Sequence, residues 1–122
     1  MYEIRVSGKF SAAHCIEGYP GDCASLHGHN WVVDAVFSAK ELDELGLACD
    51  FRKAKNFLRE TLEELDHCML NEHSWLEGIN PTSENLARII YHKLREILPA
   101  GINLNSVEVF ESERSSVRYY PD

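Results

Sequence analysis

The chain has 122 residues, 20 of them acidic and 12 basic, for a net charge of −8 with histidine neutral. That length suits one compact domain, residues 1–122. The acidic balance argues against a nucleic-acid partner, which calls for a basic face, while leaving room for a small anionic substrate held by a few local cations.

No apolar run approaches the roughly 20 residues that span a bilayer, so no membrane partner is expected. Met1 to Phe10 alternates and carries charge, unlike a leader peptide, which points to a cytoplasmic protein. Cys15, Cys23, Cys49 and Cys68 form no CxxC pair and read as thiols in a reducing compartment.

In chain order, residues 2–10 alternate with Ile4, Val6 and Phe10 on one face, the pattern of a half-buried strand. Residues 15–26 hold Gly18, Pro20, Gly21, Asp22 and Ser25 and read as a loop. Residues 29–38 are rich in β-formers around Trp31, Val32, Val33, Val36 and Phe37, and two such neighbouring strands most simply pair antiparallel.

Asp50 then caps a helix whose apolar face is Phe51, Ala54, Phe57, Leu58, Leu62 and Leu65. Residues 66–80 look irregular. Thr82 or Ser83 caps a second helix with Leu86, Ile89, Ile90, Leu94, Ile97 and Leu98 as its buried stripe, ended by Pro99 and Gly101. Residues 104–110 and 117–120 close the chain as two strands, with 111–116 as a polar turn. The order ββααββ predicts an α+β fold: an antiparallel sheet with two helices on one face.

His27-Gly28-His29 carries the most chemistry. On an extended backbone, residues i and i+2 face the same side, so both imidazoles reach one point. Gly28 between them leaves space for another group to come close. If the first two strands pair through the 15–26 loop, His14 returns beside them. Three neutral imidazoles suit Zn2+ at about 2.0–2.1 Å, and a fourth, open position is the mark of a catalytic site. Alone, an HxH pair is more often two isolated histidines than a metal site; His14 is what tips the reading.

Cys23, four residues before His27, is a fourth ligand, a general acid or base above the metal, or a buried spectator. Asp66-His67 places a carboxylate beside an imidazole, which can fix its tautomer for proton transfer, although a histidine at a helix end can also serve the helix dipole alone. Glu111 at the end of the third strand is, by itself, one acidic residue among 20.

Together these segments are similar to the 6-pyruvoyl-tetrahydropterin synthase family. The resemblance is carried by Phe10-Ser11-Ala12-Ala13-His14, Cys23 to His29 in a CxxxHGH spacing, Leu65-Asp66-His67, Asn80-Pro81-Thr82-Ser83-Glu84-Asn85 and Val109-Phe110-Glu111. The CxxxHGH spacing resembles the 6-carboxytetrahydropterin synthase branch, which serves queuosine biosynthesis.

The resemblance implies a tunnelling fold, in which a four-stranded antiparallel sheet carries two helices and trimers close their sheets into a barrel. Two trimers stack as a homohexamer with sites between subunits. It implies zinc on His14, His27 and His29, with Cys23, Asp66 and His67 as proton-transfer groups. Glu111 would bind the pterin, with Thr82 and Ser83 helping to seat it. The implied substrate is 7,8-dihydroneopterin triphosphate, with Lys9, Lys53, Arg114 and Arg118 as candidate phosphate cations. The implied products are 6-carboxy-5,6,7,8-tetrahydropterin, acetaldehyde and triphosphate. A pyruvoyl-forming synthase, a side-chain-cleaving relative that yields 6-hydroxymethyl-dihydropterin, and a non-catalytic zinc or pterin-binding module are the competing readings.

Overall fold

The computed structural model describes residues 1–20 and 25–122. Its elements are β1 (Tyr2–His14), β2 (His27–Ala39), α1 (Phe51–Glu63), β3 (Cys68–Met69), α2 (Ser83–Ile97), β4 (Asn103–Ser112) and β5 (Ser115–Tyr119), with single 3-10 turns at Leu70–Glu72 and Ser74–Leu76. The sheet order is β3-β1-β2-β4-β5.

The four long strands pair antiparallel, as the sequence predicts. The expected four-stranded sheet gains a fifth strand: β3 adds two residues parallel to Ala12 and Ala13, making the sheet mixed. A two-residue strand carries no periodicity, so the segment reads as irregular in sequence. The two edge strands are the shortest, which limits the exposed ladder available for aberrant pairing.

Strand alternation decides what faces the helices. Val6, Phe10 and Ala12 of β1 are buried with Trp31, Val33, Ala35 and Phe37 of β2 and Val107 and Val109 of β4. Leu58 and Leu62 of α1 and Leu86, Ile90 and Leu94 of α2 complete that core. Gly8 lets α1 come close, since a Cβ there would stand 2.9 Å from a Leu62 methyl and 3.3 Å from a Leu58 methyl. Phe10 and Trp31, register partners, stack with ring centroids 5.9 Å apart.

Both caps form as predicted. Asp50 accepts from the Arg52 amide, and Thr82, rather than Ser83, accepts from the Asn85 amide. Two expected core residues are on the surface: Phe51 is 56% exposed and Ile97 41%. Each lies in the terminal turn of its helix, beyond the sheet's cover. No helix among the described residues is long and apolar enough to cross a membrane.

Candidate functional site

β1 runs four residues further than its alternation suggests, and this extension builds the site. His14 is the last residue of β1 and pairs directly with His27, the first of β2; Ala12 pairs with His29. All three histidines share the helix-facing side of the sheet with Phe10 and Trp31. Trp31 is fully buried and forms the floor, with ring centroids 5.0 Å from His14 and 5.1 Å from His29.

The hydrogen bonds fix the tautomers. Nδ1 of His14 lies 2.8 Å from the Pro81 carbonyl and Nδ1 of His27 lies 2.7 Å from the Ser25 carbonyl. A carbonyl only accepts, so each ring carries its proton on Nδ1 and leaves Nε2 as a bare lone pair. Those two Nε2 atoms nevertheless face each other at 3.1 Å. Two lone pairs cannot bond to one another, so the arrangement makes sense when both are aimed at a cation.

Glu111 completes the set. Its Oε1 lies 2.9 Å from His29 Nε2, 3.6 Å from His14 Nε2 and 3.9 Å from His27 Nε2. Despite that closeness, Nε2 of His29 is buried without a hydrogen-bond partner. The distance suits a hydrogen bond but the N–H geometry does not. Four donors at 2.0–2.1 Å around a tetrahedral centre lie about 3.3 Å apart. The separations here scatter about that value, and all four donor atoms fall within 4.8 Å of one another. His14, His27, His29 and Glu111 therefore form a group that can hold a metal ion. Burial lowers the His29 pKa most, and the neighbouring histidines lower it further against the pull of Glu111, which favours the neutral, ligating imidazole.

Glu111 was expected to meet substrate; the structure also brings it to the histidines. The signal is in the strand geometry. The β4–β5 register jumps from Phe110↔Ser116 to Ser112↔Ser115, leaving Glu111 in a bulge without a partner in β5. Ser83, at the start of α2, donates to the other carboxylate oxygen at 3.3 Å and so anchors Glu111 directly. A Cβ at Gly28 would meet only the Ala12 carbonyl at 4.0 Å, so no described group of this chain uses the close approach that Gly28 allows.

Residues 15–17 leave β1 under firm guidance. The Asn71 amide exchanges two hydrogen bonds with the Cys15 backbone at 2.9 and 2.8 Å, and Asn80 does the same with Glu17, both at 3.1 Å. These braces could not be read from spacing, because a side-chain clamp on a distant backbone leaves no period. Cys23 lies in 21–24, outside the described residues.

Asp66 and His67 form a dyad of their own. His67 Nδ1 is 2.9 Å from Asp66 Oδ2, and the imidazole is 81% exposed. The Ser11 amide donates to Asp66 at 2.8 Å and the His67 amide donates back to the Ser11 carbonyl at 2.6 Å, tying the dyad to β1. The Ser11 amide, first, and then His67 hold the Asp66 carboxyl below the usual carboxylate range. His67 adopts a positive φ of 56°, uncommon for a residue with a Cβ and often a mark of function. Among the described residues, no hydrogen bond or ion pair joins this dyad to the histidine cluster of the same chain. The candidate phosphate cations Lys9, Lys53, Arg114 and Arg118 are all exposed, and Arg118 pairs with Glu108 at 3.7 Å.

Comparison with known proteins agrees with this geometry. Residues 3–122 match the family model described as 6-pyruvoyl tetrahydropterin synthase. A protein of Archaeoglobus fulgidus, provisionally named a 6-carboxy-5,6,7,8-tetrahydropterin synthase, is 38% identical over 90% of this chain and 88% of its own. The 6-carboxy-5,6,7,8-tetrahydropterin synthase of Synechocystis is 36% identical over 98% of this chain and 94% of its own. The structure of Caenorhabditis elegans 6-pyruvoyl tetrahydropterin synthase superposes with a TM-score of 0.89 at 25% identity, covering 99% of this chain and 96% of that one. With the tunnelling fold shared and the similarity spanning nearly every residue, around a group that can hold a metal ion, the chain belongs to the 6-pyruvoyl tetrahydropterin synthase family.

Proposed function

We propose that this protein is a zinc-dependent 6-carboxy-5,6,7,8-tetrahydropterin synthase acting in queuosine biosynthesis. It converts 7,8-dihydroneopterin triphosphate and one water to 6-carboxytetrahydropterin, acetaldehyde and triphosphate. The observation that carries the reading is the convergence of bare imidazole nitrogens on one point, in a chain whose relatives include proteins with that name.

Bound zinc supplies Lewis acidity, making a substrate hydroxyl easier to deprotonate. The chain's own residues do the rest. His14 and His27 are held in the ligating tautomer by the Pro81 and Ser25 carbonyls. Asp66 accepts from His67 Nδ1, which leaves His67 Nε2 to receive or deliver a proton. Cys23, as thiolate, is the second proton-transfer group. Glu111 accepts paired N–H bonds from the pterin amino and ring nitrogens, and Thr82 and Ser83 seat the ring at the start of α2.

We further read the protein as a cytoplasmic homohexamer, a dimer of trimers. The exposed dyad, set apart from its own chain's histidines, supports a site completed by another subunit.

The test is to incubate the zinc-loaded protein with 7,8-dihydroneopterin triphosphate and weigh the products. Acetaldehyde with the 6-carboxy pterin is expected. A pyruvoyl product without acetaldehyde would move the chain to the pyruvoyl-forming activity, and pterin binding without turnover at full zinc occupancy would make it a binding module. Cys23→Ala is expected to abolish turnover while zinc stays bound.

A further inference from the structure

We infer that Glu111 is an exchangeable metal ligand. Its Oε1 closes the coordination shell in the substrate-free protein and gives up that position when a substrate oxygen arrives. The inference rests on the metal-site reading above and deepens it.

Three features carry it. The first is position. Oε1 approaches all three histidine nitrogens, and its 2.9 Å contact with His29 Nε2 lacks hydrogen-bond geometry. A carboxylate paired with an imidazole for its own sake would sit along an N–H direction. One that stands this close off that direction, with the two bare Nε2 atoms of His14 and His27 beside it, is placed to share a cation with them.

The second feature is the division of labour between its oxygens. Oε1 meets the cluster, while Oε2 accepts from the Ser83 hydroxyl at 3.3 Å. Ser83 is fixed at the first turn of α2, beside the Thr82 cap. The carboxylate can therefore turn away from the metal without losing its anchor, which lowers the cost of exchange.

The third is the backbone. The histidines sit in paired strand, His14 opposite His27 and His29 opposite Ala12. Glu111 sits in the β4 bulge with no partner in β5. A bulge tolerates side-chain redirection that a paired strand resists. The three imidazoles are thus permanent ligands and the carboxylate the movable one. Its negative charge offsets one of the two positive charges of a divalent ion, so the resting site carries a lower net charge. Its departure exposes the full Lewis acidity only when substrate is present.

The experiment uses the full chain loaded with Co2+, whose visible absorption reports coordination number and donor type. Wild type is expected to show an intense four-coordinate spectrum. In Glu111→Gln the spectrum changes and metal affinity, read by chelator competition, falls by at least about 10-fold, the low end of what even an outer-shell partner is worth. In Glu111→Ala, added acetate restores the wild-type spectrum, which separates a ligand role from a folding defect. Saturating neopterin, an unphosphorylated oxidised pterin with side-chain hydroxyls, is expected to make the wild-type and Glu111→Gln spectra converge. Identical spectra and affinities without neopterin would overturn the ligand role. Spectra that stay distinct at saturation would overturn the exchange. Failure of the wild type to bind any metal would overturn the metal reading itself, a result distinct from both.

Discussion

The histidine cluster and the Asp66–His67 dyad are both chemical centres, but they are built in opposite ways. The cluster is rooted in the sheet: His14 is fully buried, His27 and His29 are partly buried in paired strands, and Trp31 closes the floor. The dyad stands at the surface on a left-handed residue, held to β1 by two backbone contacts. Binding a cation needs several donors at fixed mutual distance, which a sheet provides. Proton transfer needs a group that meets the substrate, wherever the substrate lies. The difference teaches that one chain pre-forms a group able to hold a metal ion and leaves a carboxylate–imidazole pair at its surface.

Breaking each region in turn should separate the two roles. The largest effect is expected from His29→Ala. Metal content of the purified protein should fall to background and turnover with it; retained stoichiometric metal would show that the other donors suffice without His29. Next comes His67→Gln, which should lower turnover by about 10²–10⁴-fold, the usual worth of a positioned acid–base group, while metal content is unchanged. Loss of metal in that variant would mean that the dyad supports the cluster after all.

The smallest effect, and the sharpest for the comparison, is pH. The His29 pKa is depressed, chiefly by burial. Protons therefore favour the unfolded, metal-free chain as pH drops through the ordinary imidazole value of about 6.5. Metal affinity of the folded chain should weaken only below that value, since the depressed pKa keeps the imidazole neutral longer and only the protonated ring cannot ligate. Asp66 behaves differently. Its pKa is depressed by the Ser11 amide, so its contribution is full above the ordinary carboxylate value of about 3.9 and is lost only as pH falls below it. At pH 5, then, metal is expected to be released while circular dichroism shows the fold intact. Unfolding together with metal loss at that pH would show that the cluster holds the sheet together.

Some of this was legible in the sequence. The period-2 and helical stripes placed all four long strands and both helices, because burying one face of an element leaves a repeating trace. Asp50 and Thr82 announced the helix starts through their side-chain chemistry. The HxH spacing put two imidazoles on one side of a strand, since alternation is a property of any extended backbone. The segments flanking those residues carried the family resemblance, and the match over residues 3–122 agrees with it.

Sequence alone thus determined the elements, the three histidines and the family, all of which depend on local spacing and residue type. Only the tertiary structure decided that Glu111 joins the histidines, that Ser83 anchors it, that Asn71 and Asn80 brace the chain after β1, and that the dyad is exposed and tied to Ser11. The physical reason is range. Glu111 lies far along the chain from His14 and reaches it through strand register and a bulge, neither of which leaves a pattern in neighbouring residues.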